Sequence, residues 1–151
     1  MALRNIVMSD SPSIRKKSKL VQTFNESLWT LLEDMKETMR KGDGCGLAAP
    51  QVGVIKRVII IEINGIFLEM VNPEIVSQKG EQTNVEGCLS VKGINGYVKR
   101  PAVVTVKGFD RYGNEYKVTA KDYLAITFCH EIDHLDGVLF IDKMIKPYKP
   151  E

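Results

Sequence analysis

His130 and His134 are the only histidines of the chain, and Glu131 follows the first of them. On a helix, residues four apart share one face at roughly 6 Å, so one metal ion can take a nitrogen from each ring. In an H-E-x-x-H pattern the two imidazoles hold the ion. The glutamate, one step round the turn, moves protons for a water that the metal polarises. A surface helix with two idle histidines explains this spacing poorly.

A catalytic site of this kind needs a third protein ligand and an open position for water. With no histidine left, that ligand is a thiolate or a carboxylate. The metzincin extension would place a histidine at position 140, where Phe140 stands. Only Asp136, Asp142 and Glu151 follow His134 as acids, and no second helix is expected to carry them, so the ligand must come from upstream. Cys129 adjoins His130 but points about 100° away on a helix. Cys45 and Cys88 both lie in glycine-bearing segments, and spacing does not choose between them. One Cys with two His suits Fe(II) as well as zinc.

The helix that carries the histidines has to be placed by the rest of the chain. Asp122 is expected to cap it, Leu135 to end it and Gly137 to follow. At 100° per residue Leu124, Phe128, Ile132 and Leu135 share a face for the core, and the histidines face a cleft on another side. Upstream, Thr23-Phe24-Asn25-Glu26 reads as a capping box. It opens a helix with Phe24, Leu28, Leu31, Leu32, Met35 and Met39 at core spacing, which ends at Gly42. Val58 to Ile63 and Ile66 to Val71 form a hairpin about Asn64-Gly65, closed by Asn72-Pro73. From Gln78 to Gly96 the pattern reads as loop with short strands. Val103 to Phe109 and Glu115 to Thr119 flank a second hairpin turn, and Pro147 and Pro150 oppose a long terminal helix. The expected fold is α+β: antiparallel β-sheets packed around a central metal-binding helix, with an N-terminal helix, as a single domain over residues 1–151.

Composition narrows the function class. The chain has 151 residues, 44% hydrophobic and 26% charged, enough for a core without staples. A net charge of +2 calls for neither nucleic acid nor membrane. The local run Arg15-Lys16-Lys17-Ser18-Lys19 and the spaced Lys143, Lys146 and Lys149 read as solvated faces, with a ribosome as the other partner to consider. No apolar stretch spans a bilayer and no secretory or transit pattern follows Met1. The three cysteines contain no C-x-x-C pair, which suits a reducing cytoplasm.

Three segments together resemble the peptide deformylase family. Gly44-Cys45-Gly46-Leu47-Ala48-Ala49-Pro50-Gln51 is similar to that family's G-x-G-x-A-A-x-Q motif, Glu86-Gly87-Cys88-Leu89-Ser90 to its E-G-C-x-S motif, and His130 to His134 to its H-E-x-x-H. They stand in the family's order, and the resemblance runs from about Ile6 to Lys143. It implies that Cys88, His130 and His134 hold the metal, physiologically Fe(II), with Zn, Ni or Co able to substitute. It implies hydrolysis of the N-formyl group of formyl-methionine on nascent polypeptides, releasing formate. Glu131 would be the proton carrier, and the Gln51 amide and Leu89 N–H the oxyanion donors. Gly44, Cys45, Gly46, Gly87 and Leu89 would line the substrate cleft, and the glycines would let a peptide pair with this segment as an added strand. Glu86 and Arg100 would form a buried ion pair bracing the cysteine loop. Asp133, which faces away from both histidines on the helical wheel, is left between facing solvent, anchoring a loop and a supporting role beside the ligands. The chain departs from many members in having Cys129 for Gln and Cys45 for Ile or Val; with prolines near its end, the longer C-terminal helix that in some members contacts the ribosome is not expected. A zinc metallopeptidase of the H-E-x-x-H type is the alternative function.

Overall fold

The structure, a computed structural model, describes residues 2–150. Its first helix, α1 (Glu26–Lys41), is amphipathic: Leu28, Leu31, Leu32, Met35 and Met39 are all buried. Each such side chain contributes about 1.5–3 kcal/mol by leaving water. The cap is Asn25, not Thr23: Asn25 is extended and its side chain accepts the Leu28 N–H at 3.3 Å. An Asn carbonyl reaches that N–H directly, so the box begins two residues later than the pattern suggested and Phe24 lies outside the helix. The helix ends at Gly42, followed by Asp43 in the left-handed region at φ 56°.

Strand β1 (Gly46–Ala48) runs into a 3₁₀ turn at Ala49–Val52. Strands β2 (Val58–Ile63) and β3 (Ile66–Lys79) form the expected hairpin. Asn72-Pro73 does not close it, because β3 continues through them to Lys79. Asn72 adopts φ 52° at a register shift between Val71 and Glu74, and its amide exchanges two hydrogen bonds with the Val21 backbone. A bulge tolerates a proline that has no N–H to offer the ladder. Strands β6 (Val103–Phe109) and β7 (Glu115–Lys121) complete a five-stranded sheet of order β1-β2-β3-β6-β7, antiparallel throughout.

The segment read as loop with short strands is the largest correction, because its strands are long and continuous. Residues 82–100 form a long hairpin of β4 (Gln82–Cys88) and β5 (Val91–Arg100), joined by the short β8 (Lys146–Pro147) into a second antiparallel sheet. Much of this hairpin is solvent-facing, so it lacks the apolar alternation that marks a half-buried strand.

Helix α2 (Asp122–Leu135) lies between the sheets, with Phe128, Ile132 and Leu135 in the core beside Ile59, Ile61, Val104 and Val106. Lys121 precedes it without a side-chain cap, and Asp122 is its first residue at φ 56° rather than a capping residue outside it. Gly137, at φ 75°, turns the chain beside the backbone of Arg15, where a Cβ would collide. The short α3 (Phe140–Lys143) follows, and no further helix follows it among the described residues. The architecture is α+β as expected, and no helix of the described residues is long and apolar enough to cross a membrane.

Candidate metal centre and cleft

Helix α2 and the end of β4 meet at one point. Glu86 and Cys88 lie on either side of a register shift in the β4–β5 ladder, and both side chains reach α2, Glu86 at His130 and Cys88 at His134. The Cys88 Sγ lies 3.3 Å from His134 Nε2, and ligand atoms of Cys88, His130 and His134 all lie within 4.8 Å of one another. Tetrahedral sites with metal–S near 2.3 Å and metal–N near 2.05 Å separate their donors by roughly 3.3–3.6 Å, so this donor set fits a divalent transition metal. Cys45 is not in the cluster. Cys129 is buried among core side chains, and that burial pushes its thiol up to about 11.

The second nitrogen of His130 is fixed from behind. Its Nδ1 lies 2.9 Å from Glu86 Oε1, and Arg100 grips Glu86 with two bonds of 2.8 Å. Burial would raise the Glu86 carboxyl, but the hydrogen bonds from Arg100 and His130 outweigh it and hold it at about 2. Arg100 also bonds Asp133 at 2.6 Å, so Asp133 neither faces solvent alone nor touches the histidines. Burial and the neighbouring His130 push His134 well below the usual imidazole range, which leaves it neutral and able to donate a lone pair.

Glu131 is 3% exposed, and its Oε1 has no hydrogen-bond partner among the described residues. Burial raises its carboxyl to about 7. Gly46 explains how the carboxylate fits: a Cβ there would lie 2.5 Å from Glu131 Oε2. The glycine thus makes room for the protein's own glutamate while also bordering the cleft.

Gln51 sits on the 3₁₀ turn after β1. Its Oε1 accepts the Ala48 N–H at 3.0 Å, which sets the amide so that Nε2 donates to Ser90 Oγ at 3.1 Å and lies 3.5 Å from Cys88 Sγ. The N-terminal arm ties both sides together, with Val7 N–H on the Gln51 carbonyl and Ser9 N–H on the Ser90 carbonyl.

These groups open into a cleft of about 340 Å³, bordered by Gly44, Cys45 and Gly46 on one side, Gly87, Cys88 and Leu89 on another, and α2 beneath. The Leu89 side chain packs close to Gly44. Both β1 and β4 are edge strands of their sheets, with one backbone edge each unpaired. Sequence reasoning missed Tyr123, Ile126 and Thr127, which line the same cleft. The signal was available for two of them: at 100° per residue Tyr123 and Thr127 fall on the His130–His134 face. Tyr123 reaches across to Cys45, its hydroxyl 3.4 Å from the thiol.

With that geometry in place, comparison with known proteins is specific. The polypeptide deformylase family model matches residues 3–150. A peptide deformylase of Caldicellulosiruptor bescii is 53% identical over 97% of this chain and 88% of the relative. One of Acetivibrio thermocellus is 52% identical over 97% and 86%. Among solved structures, a Legionella pneumophila peptide deformylase superposes with TM-score 0.92 at 46% identity, covering 94% of this chain and 86% of that one. The Thermotoga maritima enzyme gives 0.93 at 36% identity, covering 95% and 99%. The chain belongs to the polypeptide deformylase family, enzymes that remove the formyl group from N-formylmethionine peptides.

Proposed function

We propose that this chain hydrolyses the N-formyl amide of formyl-methionine at the start of nascent polypeptides, in the cytoplasm, with Cys88, His130 and His134 as metal ligands. Fe(II) is the physiological ion in this reading, and Zn, Ni or Co can occupy the same donors. The observation that carries it is the convergence of three soft and borderline donors beside a buried, partnerless glutamate at the floor of a cleft.

A bound divalent ion supplies the Lewis acidity that makes water nucleophilic near neutral pH. Everything else falls to the chain. Glu131, held high by burial, accepts the proton of the attacking water and returns it to the leaving amine. Gln51 Nε2, oriented by the Ala48 N–H on its carbonyl, and the Leu89 backbone N–H offer donors to the oxyanion that develops on the formyl oxygen. Gly44 to Gly46 and Gly87 to Leu89 flank the cleft, and the unpaired edges of β1 and β4 suit an extended peptide laid between them as an added strand. Cys45 and Tyr123 wall one side for substrate side chains.

The test is an anaerobic assay of formate release from formyl-Met-Ala-Ser with Fe- or Ni-loaded protein and elemental analysis, with acetyl-Met-Ala-Ser as the control. Formate from the first peptide and no acetate from the second is the expected result. Absence of formate from fully loaded protein would sink the proposal. The comparisons lend no support to an internal peptidase, and internal cleavage of an unformylated peptide is the result that would restore that alternative.

A further inference from the structure

Behind His130 runs a line of alternating charges that reaches the surface. Lys143 Nζ lies 3.0 Å from Asp133, Asp133 lies 2.6 Å from Arg100, Arg100 holds Glu86 at 2.8 Å, and Glu86 lies 2.9 Å from His130 Nδ1. The interior members are shielded: the side chains of Arg100 and Glu86 are 3% and 4% exposed, Asp133 19%, and only Lys143 stands half in water at 47%. Four elements contribute, namely α3, α2, β5 and β4. Bracing one loop needs the Arg100–Glu86 pair alone, so Asp133 and Lys143 are surplus to that purpose.

The geometry points to Asp133 and Lys143 as positioning residues that set, through Arg100 and Glu86, how strongly His130 donates to a metal. This rests on the ligand assignment proposed above. Arg100 divides its positive charge between two carboxylates. The more Asp133 takes, the more of Glu86 is left to accept the His130 N–H, and the more electron-rich the opposite ring nitrogen becomes. In a low-dielectric interior, hydrogen bonds in such a chain polarise one another instead of being averaged by solvent. Partners that bond directly to metal-bound histidines are worth about 10–100-fold in metal affinity, so links one and two steps further out act more weakly and with alternating sign.

Two variants give that alternation a readout. Asp133→Asn frees Arg100 to draw on Glu86, and Co(II) affinity, measured by chelator competition, should fall about 5–10-fold. Lys143→Met leaves Asp133 wholly to Arg100, and Co(II) should bind about two- to threefold more tightly. The Co(II) absorption spectrum should shift in opposite directions in the two proteins. In the double variant the Lys143→Met effect should vanish, because its route through Asp133 has gone. Weaker binding in both single variants would reduce the chain to simple bracing and overturn the proposal. So would multiplicative effects in the double variant, the signature of a plain through-space field. Lys143 lies at the surface, so its variant tests the proposal even where Asp133→Asn folds poorly. Failure of the unaltered protein to bind Co(II) would instead strike the ligand assignment itself.

Discussion

Gly46→Ala is predicted to disable turnover while leaving fold and metal intact. The added Cβ would stand 2.5 Å from Glu131 Oε2, 3.0 Å from Glu131 Cδ and 3.0 Å from Thr127 Cγ2. Carbon–oxygen contacts settle no closer than about 3.3 Å, so the carboxylate must retreat by roughly 0.8 Å. Little can share that shift. Gly46 is paired with Ile61 in the sheet, the next residues Leu47 and Ala48 are fully buried, and Glu131 belongs to a helix buried between two sheets. A misplacement near 1 Å costs about 100-fold in rate, or about 2.7 kcal/mol in the barrier. Formate release under anaerobic conditions should therefore show kcat down about 100-fold with KM little changed. Metal content should stay close to that of the unaltered protein, and the thermal unfolding midpoint should fall by no more than about 10 °C, the cost of overpacking. Gly44→Ala is the steric comparison: its Cβ would meet Leu89 Cδ1 at 2.9 Å, with Leu89 Cγ and Met39 Cγ at ordinary contact, so Glu131 keeps its place and any loss should appear in KM through the cleft wall. A Gly46→Ala protein within threefold of normal kcat at full metal occupancy would refute the reasoning, and so would an activity loss explained by lost metal.

Three further outcomes are expected. Cys88→Ser should lower Co(II) or Ni(II) affinity by at least about 10-fold and abolish the thiolate charge-transfer band, whereas Cys45→Ser should leave both unchanged; the reverse pattern would move the ligand to Cys45. Arg100→Met strands the buried Glu86 carboxylate, and urea unfolding should show about 3–5 kcal/mol of lost stability, an outcome that a loss under 1 kcal/mol would contradict. In metal-free protein the Glu131 carboxyl is raised to about 7 from an ordinary 4.5, so between those values the folded state binds the extra proton and stability falls as pH rises. The full cost above pH 7 is about 3 kcal/mol, and Glu131→Gln should remove that slope from urea midpoints measured between pH 5 and 8. A slope of the same size in the variant would assign it elsewhere.

What the sequence made legible follows from how locally each feature is determined. The α1 stripe, the Asn64-Gly65 turn and the H-E-x-x-H helix are written in neighbouring residues, and each lies where periodicity placed it. The β4–β5 hairpin is stabilised across its own ladder and carries polar residues on a solvent face, so periodicity had nothing to report. Its register is also what brings Cys88 to His134 over 46 positions of sequence. That is why spacing left Cys45 and Cys88 level and only the motif resemblance separated them. Asn72-Pro73 misled for the opposite reason. A turn-like dipeptide was absorbed by a bulge because the Asn72 amide has the Val21 backbone to bind.

The same logic bears on the proposed role of Glu131 as a base. A lone carboxylate sealed in a core would be neutral at neutral pH, and its burial pushes it that way. The positive charges of His130 and Arg100 draw it the other way without outweighing burial, and the Arg100 donors are spent on Glu86 and Asp133 so that none reaches Glu131. The glutamate is thus left with a free lone-pair edge, an orphan Oε1, and a glycine opposite that keeps side chains away from it. A positive ion held by the proposed ligands Cys88, His130 and His134 would draw the carboxyl back down toward an ionised, proton-accepting form. On the proposed assignment the centre and its base are mutually dependent. Metal-free protein should hold Glu131 protonated at pH 6, and metal loading should release that proton, countable by calorimetry in buffers of different ionisation enthalpy. No change in proton release between the unaltered protein and Glu131→Gln would break the dependence.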